Sequence, residues 1–235
     1  MSSASRRIAH LTKHLTPHAR AVASAASPPS KPRCKAVIFD LGGVLLGSPL
    51  PAIRKFERDS GVREGSIFAA AAGKGDSGAF QRLERGELVL EDFIPEFEME
   101  LQESGVRPSL SVGELFRRIE ECLVVREEVA MAIKSIRAEG LMTAALTNNW
   151  VRRSGESLLG FADGSKIASL FDVVHESCRT GRRKPDREAY EGVLEELRLT
   201  GSPQSAVFLD DLGGNLKAAR ELGIRTIKVG EDAGR

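Results

Sequence analysis

The feature that most constrains the fold is a short apolar run that leads to one acidic residue and two glycines, Val37-Ile38-Phe39-Asp40-Leu41-Gly42-Gly43-Val44. β-Branched and aromatic residues in such a run predict a buried strand of a parallel sheet, and the glycines allow a tight turn just after it. Asp40 is therefore predicted at the strand tip, on the edge where open α/β sheets bind ligands. On this segment alone, an Asp that caps a helix or forms a turn is a better reading than a nucleophile or metal ligand.

Three later apolar segments are followed by further polar side chains, and together they reverse that preference. The segments lie at residues 141–146, 171–174 and 206–209, and helix-like stretches alternate with them. This alternation predicts one parallel sheet with helices packed on it, and the carboxyl ends of parallel strands share one edge. The polar side chains expected beside Asp40 at that edge are, in chain order, Thr147, Asn148, Lys184, Asp210 and Asp211.

The order Asp, Thr, Lys, Asp-Asp, with each element at the end of a strand, resembles the haloacid dehalogenase superfamily of hydrolases. Within it, the likeness extends to the N-terminal phosphatase domain of soluble epoxide hydrolase and the related domain of acyl-CoA dehydrogenase family member 10. It covers most of residues 35–230 and rests on Phe39-Asp40-Leu41-Gly42-Gly43-Val44-Leu45, Leu146-Thr147-Asn148-Asn149, Glu176-Ser177-Cys178, Lys184-Pro185-Asp186 and Phe208-Leu209-Asp210-Asp211-Leu212-Gly213-Gly214-Asn215-Leu216-Lys217. The resemblance implies an α/β fold with a three-layer, Rossmann-like parallel sheet core and an inserted helical cap subdomain.

The resemblance also implies how the chain is divided. Residues 34–235 form the hydrolase domain, with a core at residues 34–46 and 126–235 and a helical cap at about 47–125. A cap of this kind excludes water and selects the substrate, while the edge of the core carries out the chemistry. One apolar stripe at fourfold spacing is expected to pack inside the cap: Phe93, Phe97 and Leu101.

The resemblance assigns the acidic residues their expected roles. Asp40 attacks phosphorus and forms an aspartyl-phosphate, which splits a difficult hydrolysis into two easier steps. Mg²⁺ is the implied cofactor, held by Asp40, the main-chain carbonyl of Gly42 and the acidic pair. Asp211 is implied as the direct ligand, and Asp210 as the residue that orients a bound water or the lysine. Two adjacent acids repel each other without a cation, so the pair itself also indicates a metal.

The remaining site residues are expected to bind the phosphate. Lys184 supplies a compact positive charge near the nucleophile, and Thr147, Asn148 and nearby backbone N–H groups hold the phosphate oxygens. The expected catalytic residues are therefore Asp40 and Lys184. The expected function is a magnesium-dependent phosphatase whose partner is a small phosphorylated metabolite.

The chain departs from the family pattern at Gly42. Most phosphatases of this type carry an Asp there, two residues after the nucleophile, which protonates the leaving alcohol and later activates water. General acid–base catalysis contributes about 10²–10⁴ in rate, so its loss is expected to slow turnover without removing the nucleophile or the metal site. Two other readings stay open. One is a weakened or inactive domain that binds a ligand or partner. The other is dehalogenation at carbon, which needs no metal and therefore fits the acidic pair less well.

Residues 1–33 form a basic tail of different character. No Asp or Glu precedes Asp40, and three histidines, His10, His14 and His18, recur at fourfold spacing. This composition predicts an organelle-targeting peptide followed by a linker, with the mitochondrion as the expected location and the cytoplasm or plastid as alternatives. A disordered tail and a histidine metal site are competing readings, and the second lacks a complementary set of ligands.

The overall composition is that of an ordinary soluble enzyme. A chain of 235 residues that is 41% hydrophobic can bury its own core, and its net charge of +1 does not favour nucleic acid as a partner. No stretch approaches the roughly 18 apolar residues needed to span a bilayer. Three scattered cysteines without a CxxC motif indicate a reduced protein. The sequence leaves open the substrate, the oligomeric state and whether the chain is a fragment of a longer multidomain protein.

Overall fold

A parallel sheet lies at the centre of the structure, a computed structural model that describes residues 33–106, 110–157 and 164–230. Its strands are β1 (Ala36–Phe39), β2 (Met142–Thr147), β3 (Val173–Glu176), β4 (Ala206–Asp210) and β5 (Arg225–Lys228). They lie in the order β3-β2-β1-β4-β5, and each neighbouring pair is parallel. The predicted α/β fold class is confirmed.

Helices cover the sheet and fill the long connection after β1. Five of them form what we call the helical insertion (residues 50–122): α1 (Leu50–Asp59), α2 (Ser66–Gly73), α3 (Ala79–Glu84), α4 (Leu90–Glu103) and α5 (Val112–Cys122). The others in the described residues are α6 (Glu127–Ala138), α7 (Gly164–Ala168), α8 (Ser177–Thr180), α9 (Arg187–Glu196) and α10 (Gly213–Glu221).

Both faces of the sheet are buried. Side chains alternate along a strand, so Val37 and Phe39 join the apolar cluster of α6 and the helical insertion, whereas Ala36 and Ile38 pack with α9 and α10. Burial on both faces explains why the strands read as nearly continuous apolar runs in the sequence. The resulting layers of helix, sheet and helix form the expected three-layer core.

The helical insertion has a packed aromatic centre. The rings of Phe93 and Phe97 stack with centroids 5.0 Å apart, and the Phe116 ring meets that of Phe93 edge-on at 5.3 Å. Leu101 is also buried. The predicted packing of the stripe is therefore confirmed, while the residue bounds given to core and cap stay a prediction.

The third strand begins two residues later than the sequence predicts. The predicted segment starts at Phe171, but the ladder to β2 starts with Val173 opposite Ala144. The Asp172 carboxylate accepts a hydrogen bond from the Thr143 N–H at 2.8 Å and another from Arg137 at 2.8 Å. The Asp172 side chain thus accepts the hydrogen bond of the Thr143 N–H, which a longer β3 would accept through its backbone.

A buried carboxylate joins two elements of the helical insertion, and its removal is expected to destabilise the fold. Glu57 in α1 is fully buried and accepts hydrogen bonds from the N–H groups of Gly65 and Ile67 at 2.8 and 2.9 Å. Hydrogen bonds to charged groups contribute about 1.5–3 kcal/mol each, so loss of both in Glu57→Ala should lower the free energy of unfolding by about 3–6 kcal/mol. Urea denaturation measures it. The exposed Glu64→Ala is the control, expected within about 0.5 kcal/mol of the parent, and equal losses for both variants would contradict the assignment.

Two sequence predictions fall on parts of the chain outside this description. Of the basic tail, residues 1–32 lie before the described residues, so its targeting role and its location stay predictions. Within the described ranges, none of the helices has the length and apolarity required to cross a membrane.

Candidate active site

The strand register brings the predicted residues to one edge of the sheet. Phe39 pairs with Ala145 on one side and Leu209 on the other, and the N–H of Asp40 donates to the Leu209 carbonyl at 2.9 Å. A cavity opens at this edge, under the helical insertion. Among the residues that line it are Asp40, Gly42, Thr147, Asn148, Lys184 and Asp211.

Lys184 connects two of the acidic side chains. Its Nζ lies 2.8 Å from Asp40 Oδ1 and 2.9 Å from Asp210 Oδ2, and its side chain is only 2% exposed. Burial by itself would lower the pKa of Lys184, but the carboxylates of Asp40 and Asp210 outweigh it and raise the pKa above its usual value. The lysine is therefore a fixed cation in the site.

Asn148 holds the backbone of Lys184 in place. Its Oδ1 accepts from the Lys184 N–H at 2.8 Å, and its Nδ2 donates to the Lys184 carbonyl at 2.8 Å. The side chain of this predicted phosphate ligand thus positions the lysine. Thr147, the last residue of β2, is buried at the cavity wall, and its hydroxyl lies 3.4 Å from the Asn148 carbonyl.

Three carboxyl groups converge beside the lysine. One carboxylate oxygen from each of Asp40, Asp210 and Asp211 lies within 4.8 Å of the others. Burial raises the pKa of Asp40 to about 7, although Lys184 opposes the shift. Burial and the Asp210 charge also raise the pKa of Asp211. Ionised acids this close require added positive charge, and their hard oxygen atoms suit a divalent cation such as Mg²⁺.

The two members of the acidic pair have different surroundings. Asp210 is fully buried and accepts hydrogen bonds from the Leu212 N–H at 2.7 Å, from Asn215 Nδ2 at 3.0 and 3.2 Å, and from Lys184. Asp211 lines the cavity. The geometry therefore suits Asp211 for contact with a bound cation and Asp210 for holding the lysine.

Gly43 lets the first loop approach the acidic pair closely. Its φ is +79°, in the left-handed region that glycine tolerates, and a Cβ built on it would lie 2.2 Å from Asp211 Oδ2. Any larger residue would therefore have to displace the Asp211 carboxylate.

One part of the cavity lining, which we call the apolar wall, is formed by apolar side chains. It is formed mainly by the helical insertion and includes Leu50, Ile53, Phe80, Leu83, Phe116 and Trp150. The Trp150 ring packs edge-on against Phe116 with centroids 5.0 Å apart. The cavity thus combines a charged floor, formed by Asp40, Lys184 and Asp211, with an apolar wall, which suits an amphiphilic ligand.

An arginine–glutamate pair joins the helical insertion to the core at the cavity. Arg183 Nε donates to Glu84 Oε2 at 2.6 Å, with side chains 15% and 14% exposed. Glu84, the last residue of α3, also lines the cavity.

The sequence missed two side chains that matter to the site, Asn215 and Glu84. Asn215 had a usable signal, since it lies in the first turn of the helix that follows Asp210 and Asp211. Glu84 had none, because it lies 44 residues after Asp40 in the chain, within a run of helices whose packing the sequence leaves open.

The fold and the site define a class of protein: an α/β domain with an aspartate–lysine pair and an acidic cluster at the sheet edge, beneath an inserted helical layer. Residues 34–223 match the family model of the haloacid dehalogenase-like hydrolases. The chain belongs to this family.

Curated relatives agree with that assignment. The chain is 43% identical over 197 residues to mouse acyl-CoA dehydrogenase family member 10, which covers 83% of the chain and 18% of the relative. It is 31% identical over 202 residues to pig bifunctional epoxide hydrolase 2, which covers 83% of the chain and 36% of that protein. The chain thus spans well under half the length of these two. Sesquiterpene phosphatase astK of Aspergillus oryzae is 25% identical over 81% of the chain and 87% of its own length.

Solved structures show the same fold. A haloacid dehalogenase family enzyme from Bacteroides thetaiotaomicron, in complex with magnesium and inorganic phosphate, matches 85% of this chain and 96% of its own with a TM-score of 0.57. The identity is 23%, so this likeness concerns the fold alone.

Proposed function

We propose that this domain is a magnesium-dependent phosphatase that cleaves a small phosphate monoester with an apolar alcohol part, through an aspartyl-phosphate on Asp40. The observation that carries the proposal is the placement of Asp40 on the cavity floor, bound to Lys184 and next to Asp211. Relatives named as phosphatases support the reaction type.

The residues on the cavity floor have complementary tasks in this proposal. Asp40 Oδ1 accepts from the Leu41 N–H at 2.7 Å and lies against the Lys184 ammonium, so we assign the attack on phosphorus to Oδ2. Lys184 neutralises charge on the phosphoryl oxygens as the new bond forms. Thr147 also lines the cavity, and its hydroxyl is assigned as a donor to one of the phosphoryl oxygens.

The acidic residues fit a divalent cation. The carboxylates of Asp40 and Asp211 would hold it together with the Gly42 carbonyl, and Asp210 would keep Lys184 in position through their 2.9 Å contact. When bound, the ion supplies positive charge that stabilises the transferring phosphoryl group. The magnesium and phosphate in the Bacteroides structure support this choice of ion.

The apolar wall supports the proposed substrate class. Its side chains come from five different elements around one cavity, so a substrate that fills it buries carbon rather than polar groups. The relative named as a sesquiterpene phosphatase is consistent with an apolar alcohol.

A series of linear alkyl phosphates tests both parts of the proposal. Burial of one CH₂ contributes about 0.8 kcal/mol, so kcat/KM should rise by up to about fourfold per added carbon until the cavity is filled. Chelation of magnesium should abolish phosphate release, and Asp40→Asn is the inactive control. No release from any member with magnesium would reject the phosphatase, while equal rates along the series would reject only the apolar substrate.

Gly43→Ala is expected to weaken the magnesium site. The new Cβ would push Asp211 Oδ2 away, and disturbed ligand positioning costs about 10–100-fold in metal affinity. The measurement is the magnesium concentration that gives half-maximal activity. Gly61→Ala is the matched control, because Gly61 also has a positive φ, +66°, but no atom within 4 Å of the built Cβ. If both variants change the magnesium requirement equally, backbone strain rather than the Asp211 contact is responsible.

Gly42 favours one alternative, a domain that binds a phosphorylated ligand without turnover. This alternative predicts that the parent and Asp40→Asn both release no phosphate while the parent still binds inorganic phosphate in the presence of magnesium. Calorimetry of phosphate binding, together with the rates for the alkyl phosphate series, distinguishes this binding domain from the proposed phosphatase.

A further inference from the structure

The proposed reaction requires a proton donor that the cavity floor does not provide. An alkoxide is strongly basic, so its departure from phosphorus is slow unless a nearby acid protonates the oxygen. Gly42 has no side chain to do so. Lys184 already contacts two carboxylates, and Asp40 and Asp211 are assigned to the nucleophile and the cation site.

Glu84 is the remaining carboxyl group among the described residues that line the cavity. It is the last residue of α3 in the helical insertion, which forms most of the apolar cavity wall where the alcohol part of the substrate is proposed to bind. Arg183 holds its Oε2 at 2.6 Å, and the side chains of this pair are 14% and 15% exposed. The carboxyl group is thus both anchored and largely withdrawn from water.

We propose that Glu84 is the general acid and base of the reaction, in place of the carboxyl group that is absent at residue 42. This inference rests on the proposed phosphatase function.

The proton transfers balance across the two steps. In the first, Asp40 bonds to phosphorus, the bond from phosphorus to the ester oxygen breaks, and the Glu84 proton moves to that oxygen. In the second, a water oxygen bonds to phosphorus, the bond to Asp40 breaks, and Glu84 takes a proton from the water. Alcohol and phosphate leave, and both carboxyl groups return to their starting forms.

The surroundings of Glu84 suit this role. Burial raises the pKa of Glu84, and the opposing effects of Arg183, Asn148 and Lys184 do not cancel the increase. A raised pKa brings a carboxyl group nearer to the working pH, where it can both donate and accept a proton.

The dependence on the leaving group tests the proposal. p-Nitrophenolate leaves without a proton and an alkoxide does not, so Glu84→Gln should reduce kcat/KM, which covers the steps up to departure of the alcohol, by about 10²–10⁴ for an alkyl phosphate and by less than about tenfold for p-nitrophenyl phosphate. Glu87→Gln is the control, because Glu87 is exposed and pairs with Arg85 at 2.6 Å. Its rates for both substrates should match the parent. Thermal unfolding confirms that each variant is folded.

Rescue provides a second readout. A Cβ built on Gly42 meets only Pro49 Cδ, at the ordinary contact distance of 3.6 Å, so a side chain can begin there. Gly42→Asp in the Glu84→Gln background should recover at least tenfold in kcat/KM for the alkyl phosphate, within the range for a general acid of about 10²–10⁴. If Glu84→Gln lowers kcat/KM equally for both substrates, or for neither, Glu84 is not the acid, and the phosphatase proposal stands. If the parent cleaves neither substrate, both proposals fall.

Discussion

Asp40→Asn is expected to abolish phosphate release from every monoester that the parent cleaves. The amide cannot attack phosphorus, and loss of a catalytic nucleophile typically reduces kcat on the order of 10⁴-fold or more. The fold should survive, because Lys184 keeps Asp210 as a buried ionic partner at 2.9 Å, and burial already raises the pKa of Asp40 to about 7 although Lys184 opposes the shift. Initial rates with saturating alkyl phosphate and magnesium, together with thermal unfolding, measure both effects.

Asp172→Asn controls for the loss of a carboxylate elsewhere. Asp172 immediately precedes β3, bonds Thr143 and Arg137, and is not among the residues that line the cavity. This variant should lose stability and retain turnover, the reverse of Asp40→Asn. Phosphate release by Asp40→Asn at the parental rate would remove Asp40 as the nucleophile and would leave the fold assignment untouched.

The floor of the site could be predicted from the sequence because topology places it. Parallel strands end at one edge, so polar residues after successive apolar runs must meet there, whatever the details of packing. The register of β1 with β2 and β4 confirms this for Asp40, Thr147 and Asp210. The beginning of β3 could not be predicted, because it depends on a hydrogen bond from Thr143 to the Asp172 side chain.

The wall of the site could not be predicted for a different reason. The sequence indicates helices in residues 50–122, but the direction in which each helix faces depends on packing between them. Glu84 and Phe80 have ordinary positions in an amphipathic pattern, and only the tertiary structure turns them towards the cavity. The sequence alone therefore could not predict the substrate class or an acidic group supplied by the helical insertion.

Lys184→Met is expected to remove turnover and to make folding depend on magnesium. The ammonium group is the shared partner of two buried carboxylates, 2.8 Å from Asp40 and 2.9 Å from Asp210. Removal of one partner from a buried ion pair costs about 3–5 kcal/mol, because the remaining charges are uncompensated. In the presence of a chelator, the free energy of unfolding from urea titration should fall by this amount.

Excess magnesium should restore part of that stability, because an ion that binds only the folded state shifts the unfolding equilibrium towards it. Turnover should not recover with it, since the phosphoryl group would still lack the ammonium charge, and loss of one such contact costs about 10²–10³ in kcat. Lys217→Met is the matched control: Lys217 is exposed, 4.0 Å from Glu221, and its loss should change stability by less than about 0.5 kcal/mol. If Lys184→Met unfolds at the parental urea concentration in chelator, the three acids do not need a cation to coexist. The argument for a metal at this sheet edge would then fail on thermodynamic grounds, independently of any activity measurement.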